Sequence, residues 1–231
     1  MNNVICCQNY VTQTIVKQTI FVAYHKTTIM ETSIVATKTK WSIDQVHSEI
    51  EFKIRHLMIS NVKGSFKTFD ANIYTTLKDF STAEIDLWID PASITTGDTK
   101  RDEHLKSTDF FDVQKHKQIS FTSLSIGKPD AKGNHELWGE LTMVGVTKNL
   151  KLNVQFGGIV SDPWKNEKAG FTVTGRLKRS DWGLVWNTAL ETGGLMVSDE
   201  VNILCEIELI NTNPNDLKME IRTIEQKHGL I

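Results

Sequence analysis

From Trp41 onward the chain alternates between apolar and polar residues in run after run. A β-strand points successive side chains to opposite faces, so this period of two demands strands with one buried and one wet face. In Glu49–Arg55, Ile50, Phe52 and Ile54 share one side, opposite Glu51, Lys53 and Arg55. Ala83–Asp90 sets Ile85, Leu87 and Ile89 against Glu84, Asp86, Trp88 and Asp90. The pattern recurs with Ile119 and Phe121, with Leu137, Gly139, Leu141 and Met143, and with Leu150, Leu152, Val154 and Phe156. It closes with Phe171, Val173, Gly175 and Leu177, then Val201, Ile203, Cys205, Ile207 and Leu209.

Turn-forming stretches separate these runs: Gly127–Asn134, Val144–Thr147 and Gly157–Trp164. The link between Met143 and Val146 predicts a tight hairpin. Val62–Tyr74 is strand-like, but its parity changes between Phe66 and Phe69, which predicts a bulge. Helix is scarce. Asp98 can cap a short helix with Asp102 and Glu103 early and Lys106 late, in keeping with the macrodipole. His56–Ser60 is expected to form a turn of helix, and the stretch from Asn215 to Ile231 a helix outside the sheet. The expected fold is all-β: about eight antiparallel strands closed into a barrel, because closure removes unpaired edges. The barrel is expected over residues 40–211, after a weakly structured extension (1–39) and before a tail (212–231).

A net charge of -2 and a pI near 6.4 leave no electrostatic footprint for nucleic acid and no polybasic membrane anchor. Cys6 and Cys7 are adjacent and Cys205 stands far away, so neither a disulfide framework nor a structural zinc site is expected. No apolar stretch approaches the roughly 20 residues that span a bilayer. Thr19–Tyr24 is too short for a secretory signal, so translation is expected to begin at Met30 and the protein to be cytoplasmic.

The ordered blocks WSIDQVHSEIEFKIRHLMISNVKGSF, SITTGDTKRDEHLKSTDFFDVQKHKQISF, GELTMVGVTKNLKL, AGFTVTGRLKRSDWGL and SDEVNILCEIEL resemble the YceI-like family of lipocalin-like barrels. Gln45 and Lys117 stand where that family often has proline. The resemblance implies a tunnel holding one long isoprenoid or quinone-type lipid. It also suggests a homodimer, and a periplasmic location as the alternative to the cytoplasm.

The residues support a hollow on their own account. A barrel of about eight strands either fills its interior with side chains or holds one small ligand. Gly139 and Gly175 fall on the inward parity, where they are expected to leave room. The candidate ligand-binding residues are Phe52, Ile54, Leu87, Phe111, Phe121, Gly139, Leu141, Leu152, Phe171, Gly175, Leu177, Trp182 and Ile203.

Residues 101–123 hold the densest mixture of charge, His and Phe. As an active site they lack a nucleophile motif, and i,i+1 or i,i+2 neighbours on a helix do not face each other. As a brace, Arg101, Asp102 and His104 hold the helix while Leu105, Phe110 and Phe111 pack onto a barrel end, with a lid role compatible. The histidines lack paired metal spacing, and His47 is expected to be a satisfied structural group; no metal or cofactor is expected. Arg55, Arg101 or Arg176 are the candidates for holding a polar head group. Trp88 and Trp138, on polar strand faces, are the candidate dimer contacts. Ser180–Ser198 breaks the alternation and reads as a loop at a barrel mouth, where Trp182, Leu184 and Trp186 gate access or simply connect strands. Two competing functions stay open: an enzyme acting on a lipid, and a filled barrel working through its outer surface.

Overall fold

Each alternating run forms a strand, and the parity expected from sequence is the parity observed. In the computed structural model the described residues are 38–189 and 194–212. The expected N-terminal extension up to residue 37, with Met30, Cys6 and Cys7, lies outside them, as do Gly193 and the expected C-terminal helix.

In chain order the elements are β1 (Lys38–Ile43), β2 (Glu49–His56), β3 (Ser60–Phe66), β4 (Phe69–Thr76), β5 (Asp79–Ile89) and β6 (Ile94–Thr95). Then come α1 (Thr99–Lys106), β7 (Ile119–Ile126), β8 (Asn134–Met143), β9 (Val146–Ser161), β10 (Glu167–Lys178) and β11 (Val197–Asn211). Antiparallel pairing runs β1-β4-β5-β7-β8-β9-β10-β11, and β11 returns to β1 through Trp41↔Asn211 and Ile43↔Leu209, which closes an eight-strand barrel. β11 is long enough to serve two strands in series. Its end pairs with β1, and its first part pairs with β2 from Val197↔His56 to Glu206↔Glu49. β3 folds back on β2, and β6 covers the end of β3.

The local chemistry explains the joints. Val144 and Gly145 both take positive φ (52° and 75°), the twist a two-residue hairpin needs. Asp98 caps α1 by accepting the Arg101 N–H at 2.9 Å.

Two expectations need correction. Val62–Tyr74 is two strands rather than one bulged strand. The chain breaks at Lys67–Thr68 because β3 must follow β2 while β4 runs between β1 and β5. Ser93 Oγ accepts the Lys67 and Thr68 N–H groups (3.1 and 3.0 Å) and so satisfies the break. His56–Ser60 is a hairpin turn rather than a helical one, with Leu57 and Met58 both at positive φ (51° and 60°).

One end of the barrel is sealed by aromatic packing. Trp41, fully buried, donates from Nε1 to Thr75 Oγ1 at 3.0 Å, so its one polar group is satisfied. The Phe80 ring lies 4.9 Å from Trp41, 4.8 Å from Phe171 and 5.5 Å from Phe156.

Candidate functional site

The inward faces do not meet. They enclose a cavity of about 610 Å³, within the range of small-molecule sites. Phe52, Ile54, Leu87, Phe121, Leu141, Leu152, Phe171, Leu177 and Ile203 line it, as their strand parity predicted, and Phe111 lines it from the stretch after α1. Phe80, Val173 and Cys205 line it too, and were not among the candidates from sequence.

Gly139, Gly175 and Trp182 behave differently from expectation. A Cβ at Gly139 would come within 2.2 Å of Phe121 Cζ and 2.6 Å of the Thr122 carbonyl oxygen, and one at Gly175 within 2.4 Å of Leu152 Cδ2. The missing side chains therefore seat a neighbour's side chain instead of widening the bore. Gly64 does the same for Phe52, whose Cζ would be 2.3 Å from a Cβ there. Trp182 is buried and donates from Nε1 to the Leu141 carbonyl at 3.0 Å; it is a fixed packing residue, not a gate.

Charged side chains reach the cavity at the end opposite the aromatic seal. His56, Lys100, Arg101 and His104 line it there, alongside Phe110, Phe111 and Trp186. The stretch 101–123 is thus a braced rim. Asp102, buried, accepts from Thr96 N (2.8 Å) and Thr96 Oγ1 (2.5 Å). Arg101 donates to Thr96 Oγ1 (2.7 Å) and Thr96 O (2.9 Å). His104 Nε2 pairs with Asp109 at 2.8 Å, and its ring stands edge-on to Phe110 and Trp186 at 5.1 and 4.8 Å. Of the three arginine candidates, only Arg101 lines the cavity. Arg55 is committed to the Met58 carbonyl (2.7 and 3.0 Å), and Arg176 points outward toward Glu200.

Arg179, which the sequence did not single out, organises the rest of the rim. It is buried and donates to the carbonyls of Leu184, Trp186 (2.8 Å) and Ser198 (2.9 Å). Burial pulls its pKa below the usual arginine value. Asn187 adds a second tie, bonding Val197 O at 2.7 Å and Val197 N–H at 3.1 Å. The segment expected to be a loose connection is pinned on both sides of Trp186. Only a basic residue in a non-alternating stretch hinted at this, because its partners are backbone carbonyls supplied by the fold.

Inside, the Cys205 thiol is pushed up to about 12 by burial, so it is protonated and unreactive at neutral pH. On the outside, Asp44, His47 and Glu208 bring ligand-type atoms within 4.8 Å of one another, but their cation is already present. Lys168 Nζ sits 2.8 Å from Asp44 and 2.7 Å from Glu208, and His47 Nδ1 lies 2.9 Å from Asp44. The Lys168 ammonium holds the Asp44 carboxyl far below the usual carboxylate range, and the two carboxylates raise the Lys168 pKa. His47 is the satisfied structural group expected of it. Trp88 and Trp138 are partly exposed on the outer wall.

The model of the YceI-like domain matches residues 41–209. The chain belongs to the YceI-like family. This YceI-like domain is similar to a UPF0312 protein of Staphylococcus epidermidis, 37% identical over 171 residues that cover 74% of this chain and 96% of the relative. Among solved structures it is similar to a YCEI protein of Campylobacter jejuni, 35% identical with a TM-score of 0.60, over 69% of this chain and 91% of the other. A polyisoprenoid binding domain from Saccharophagus degradans, 16% identical with a TM-score of 0.52 over 74% of this chain and 98% of the other, shares the fold. Among the described residues, no helix is long and apolar enough to cross a membrane.

Proposed function

We propose that this chain is a non-catalytic carrier that shelters one long isoprenoid or similar apolar chain inside the barrel, for storage or transfer. The observation that carries the proposal is the 610 Å³ bore with an almost wholly apolar lining and its Lys and Arg side chains gathered at one end. At about 30 Å³ per non-hydrogen atom, the share of one water in liquid, it takes on the order of twenty atoms. Twenty buried carbons contribute about 16 kcal/mol at roughly 0.8 kcal/mol each, against an association cost of about 4–15 kcal/mol. Long tails bind and short ones do not. The fold shared with a polyisoprenoid binding domain supports the same class of cargo. The rim suits a small polar head group, with Lys100 and Arg101 as its partners. The bore's thiol is held protonated, which supports carriage over thiol chemistry.

The test uses delipidated protein and a series of prenols of increasing length. Affinity is expected to rise with each isoprene unit until the bore is full. Cys205→Phe, which pushes a ring into the empty bore, is expected to abolish binding with the melting temperature retained, and Cys205→Ala to leave binding intact. Length-independent affinity, or full binding by Cys205→Phe, contradicts the carrier function.

A further inference from the structure

The charged end of the bore carries a second feature that cargo binding alone does not use. The β2–β3 turn puts Leu57 and Met58 at positive φ, a conformation that hairpins normally give to Asn-Gly because side chains crowd the backbone there. An aliphatic pair in that place is a poor choice for folding. Met58 is 54% exposed and the next residue, Ile59, 80% exposed. Arg55 holds the tip in shape by donating to the Met58 carbonyl, and the Leu57 N–H donates to Met196 O at 2.8 Å. This joins the tip to the segment carrying exposed Leu195, while exposed Val185 lies between the two Arg179-bound carbonyls. Met196 and Trp186, flanking these residues, line the cavity. Bare aliphatic side chains therefore ring the mouth.

Directly behind the tip, on the outer wall, Lys53 stands opposite Lys63 across the β2–β3 ladder. Like charges facing each other across strands oppose folding. Among the described residues neither has an acidic partner, and exposed Arg55 lies beside them. The other end of the barrel offers a contrast. Trp164 there is 80% exposed with exposed Lys165 beside it, but the other basic residues near it are spent: Lys168 on Asp44 and Glu208, Lys78 on Glu167.

We propose that the β2–β3 tip, with Val185 and Leu195, docks the mouth of the barrel onto an anionic lipid bilayer, the aliphatic side chains entering the interface and Lys53 and Lys63 meeting lipid phosphates. Apolar insertion beside a basic cluster is what such surfaces bind, each cation adding about fivefold. The docked mouth would let an apolar chain pass between bilayer and bore without crossing water. This part deepens the carrier function and rests on it; the docking itself does not.

The experiment is co-sedimentation of the full chain with vesicles of phosphatidylcholine containing phosphatidylglycerol, against phosphatidylcholine alone, with bound cargo measured separately by mass spectrometry. Binding is expected on the anionic vesicles and to weaken with salt. Lys53→Ser with Lys63→Ser is expected to weaken it about thirty-fold. Leu57→Asn with Met58→Gly is the sharper variant, since it suits the turn's backbone: vesicle binding is expected to fall about tenfold or more while the melting temperature holds or rises. Trp164→Ser is expected to bind as the parent does. No binding to protein-free vesicles, or loss with Trp164→Ser in place of the tip variant, overturns the proposal. A protein that carries cargo but ignores vesicles refutes docking alone, and one that docks through the tip but carries nothing refutes the carrier alone.

Discussion

The two ends of the bore are built on opposite principles. At the sealed end Trp41, Phe80, Phe156 and Phe171 pack ring on ring, and the buried Trp41 N–H is satisfied by Thr75. At the mouth, shape comes from polar ties: Asp102 on Thr96, Arg179 on three carbonyls, Asn187 on Val197. Packing holds the first end shut independently of any ligand. The second is held in a set shape by hydrogen bonds while its aliphatic and charged side chains stay available. Stability and access are thus assigned to different ends of one barrel.

The largest expected effect falls on the sealed end. Trp41→Ala removes a fully buried ring and its hydrogen bond to Thr75, and should cost about 3–5 kcal/mol in urea unfolding. An effect under 1 kcal/mol would mean that the seal does not carry the stability assigned to it. Next, Arg179→Met leaves the Leu184, Trp186 and Ser198 carbonyls without their donor. It should cost roughly 3 kcal/mol and speed the release of a bound prenol, as followed by stopped-flow competition. Destabilisation without faster release would separate the rim from the gate.

The glycines give a graded pair. Gly139→Ala drives a Cβ against the Thr122 backbone and should cost about 1–3 kcal/mol. Gly175→Ala meets only the end of the Leu152 side chain, which can turn aside, and should cost less than about 1 kcal/mol by thermal melts. Equal costs would show that the wall yields the same way at both places.

The smallest effect is electrostatic. Asp44 is depressed in the folded state, so its contribution is present above about pH 4, its unfolded value, and is lost progressively as pH falls below that toward its much lower folded value. The Lys168 pKa is raised, so its contribution is full below about pH 10 and is lost only as pH rises beyond. Between these limits stability should be flat with respect to this pair. Asp44→Asn should remove the acid-side loss that the pair contributes, read as the difference in urea midpoint between neutral pH and about pH 3.

The contrast between the ends also explains what could be read from sequence. A period of two reports which face a residue takes, so the strands, the closure and nine of the bore's lining residues, from Phe52 to Ile203, were legible from local pattern. So were the Val144–Gly145 hairpin and the Asp98 cap, because their chemistry lies within a few residues. Gly139 and Gly175 were placed on the right face but given the wrong role. Parity says nothing about register, and register is what brings Phe121 and Leu152 over them. The mouth was least legible, since Arg179, Ser93 and the Lys53–Lys63 pair act on partners brought close only by pairing between strands.

The central claim is the hollow itself, and diffraction from crystals of the purified chain tests it most directly. The account predicts continuous rod-like density inside the barrel, running from Phe171 toward Trp186 and unaccounted for by protein. A bore collapsed onto its own side chains, with no space left for a hydrocarbon chain, would contradict it.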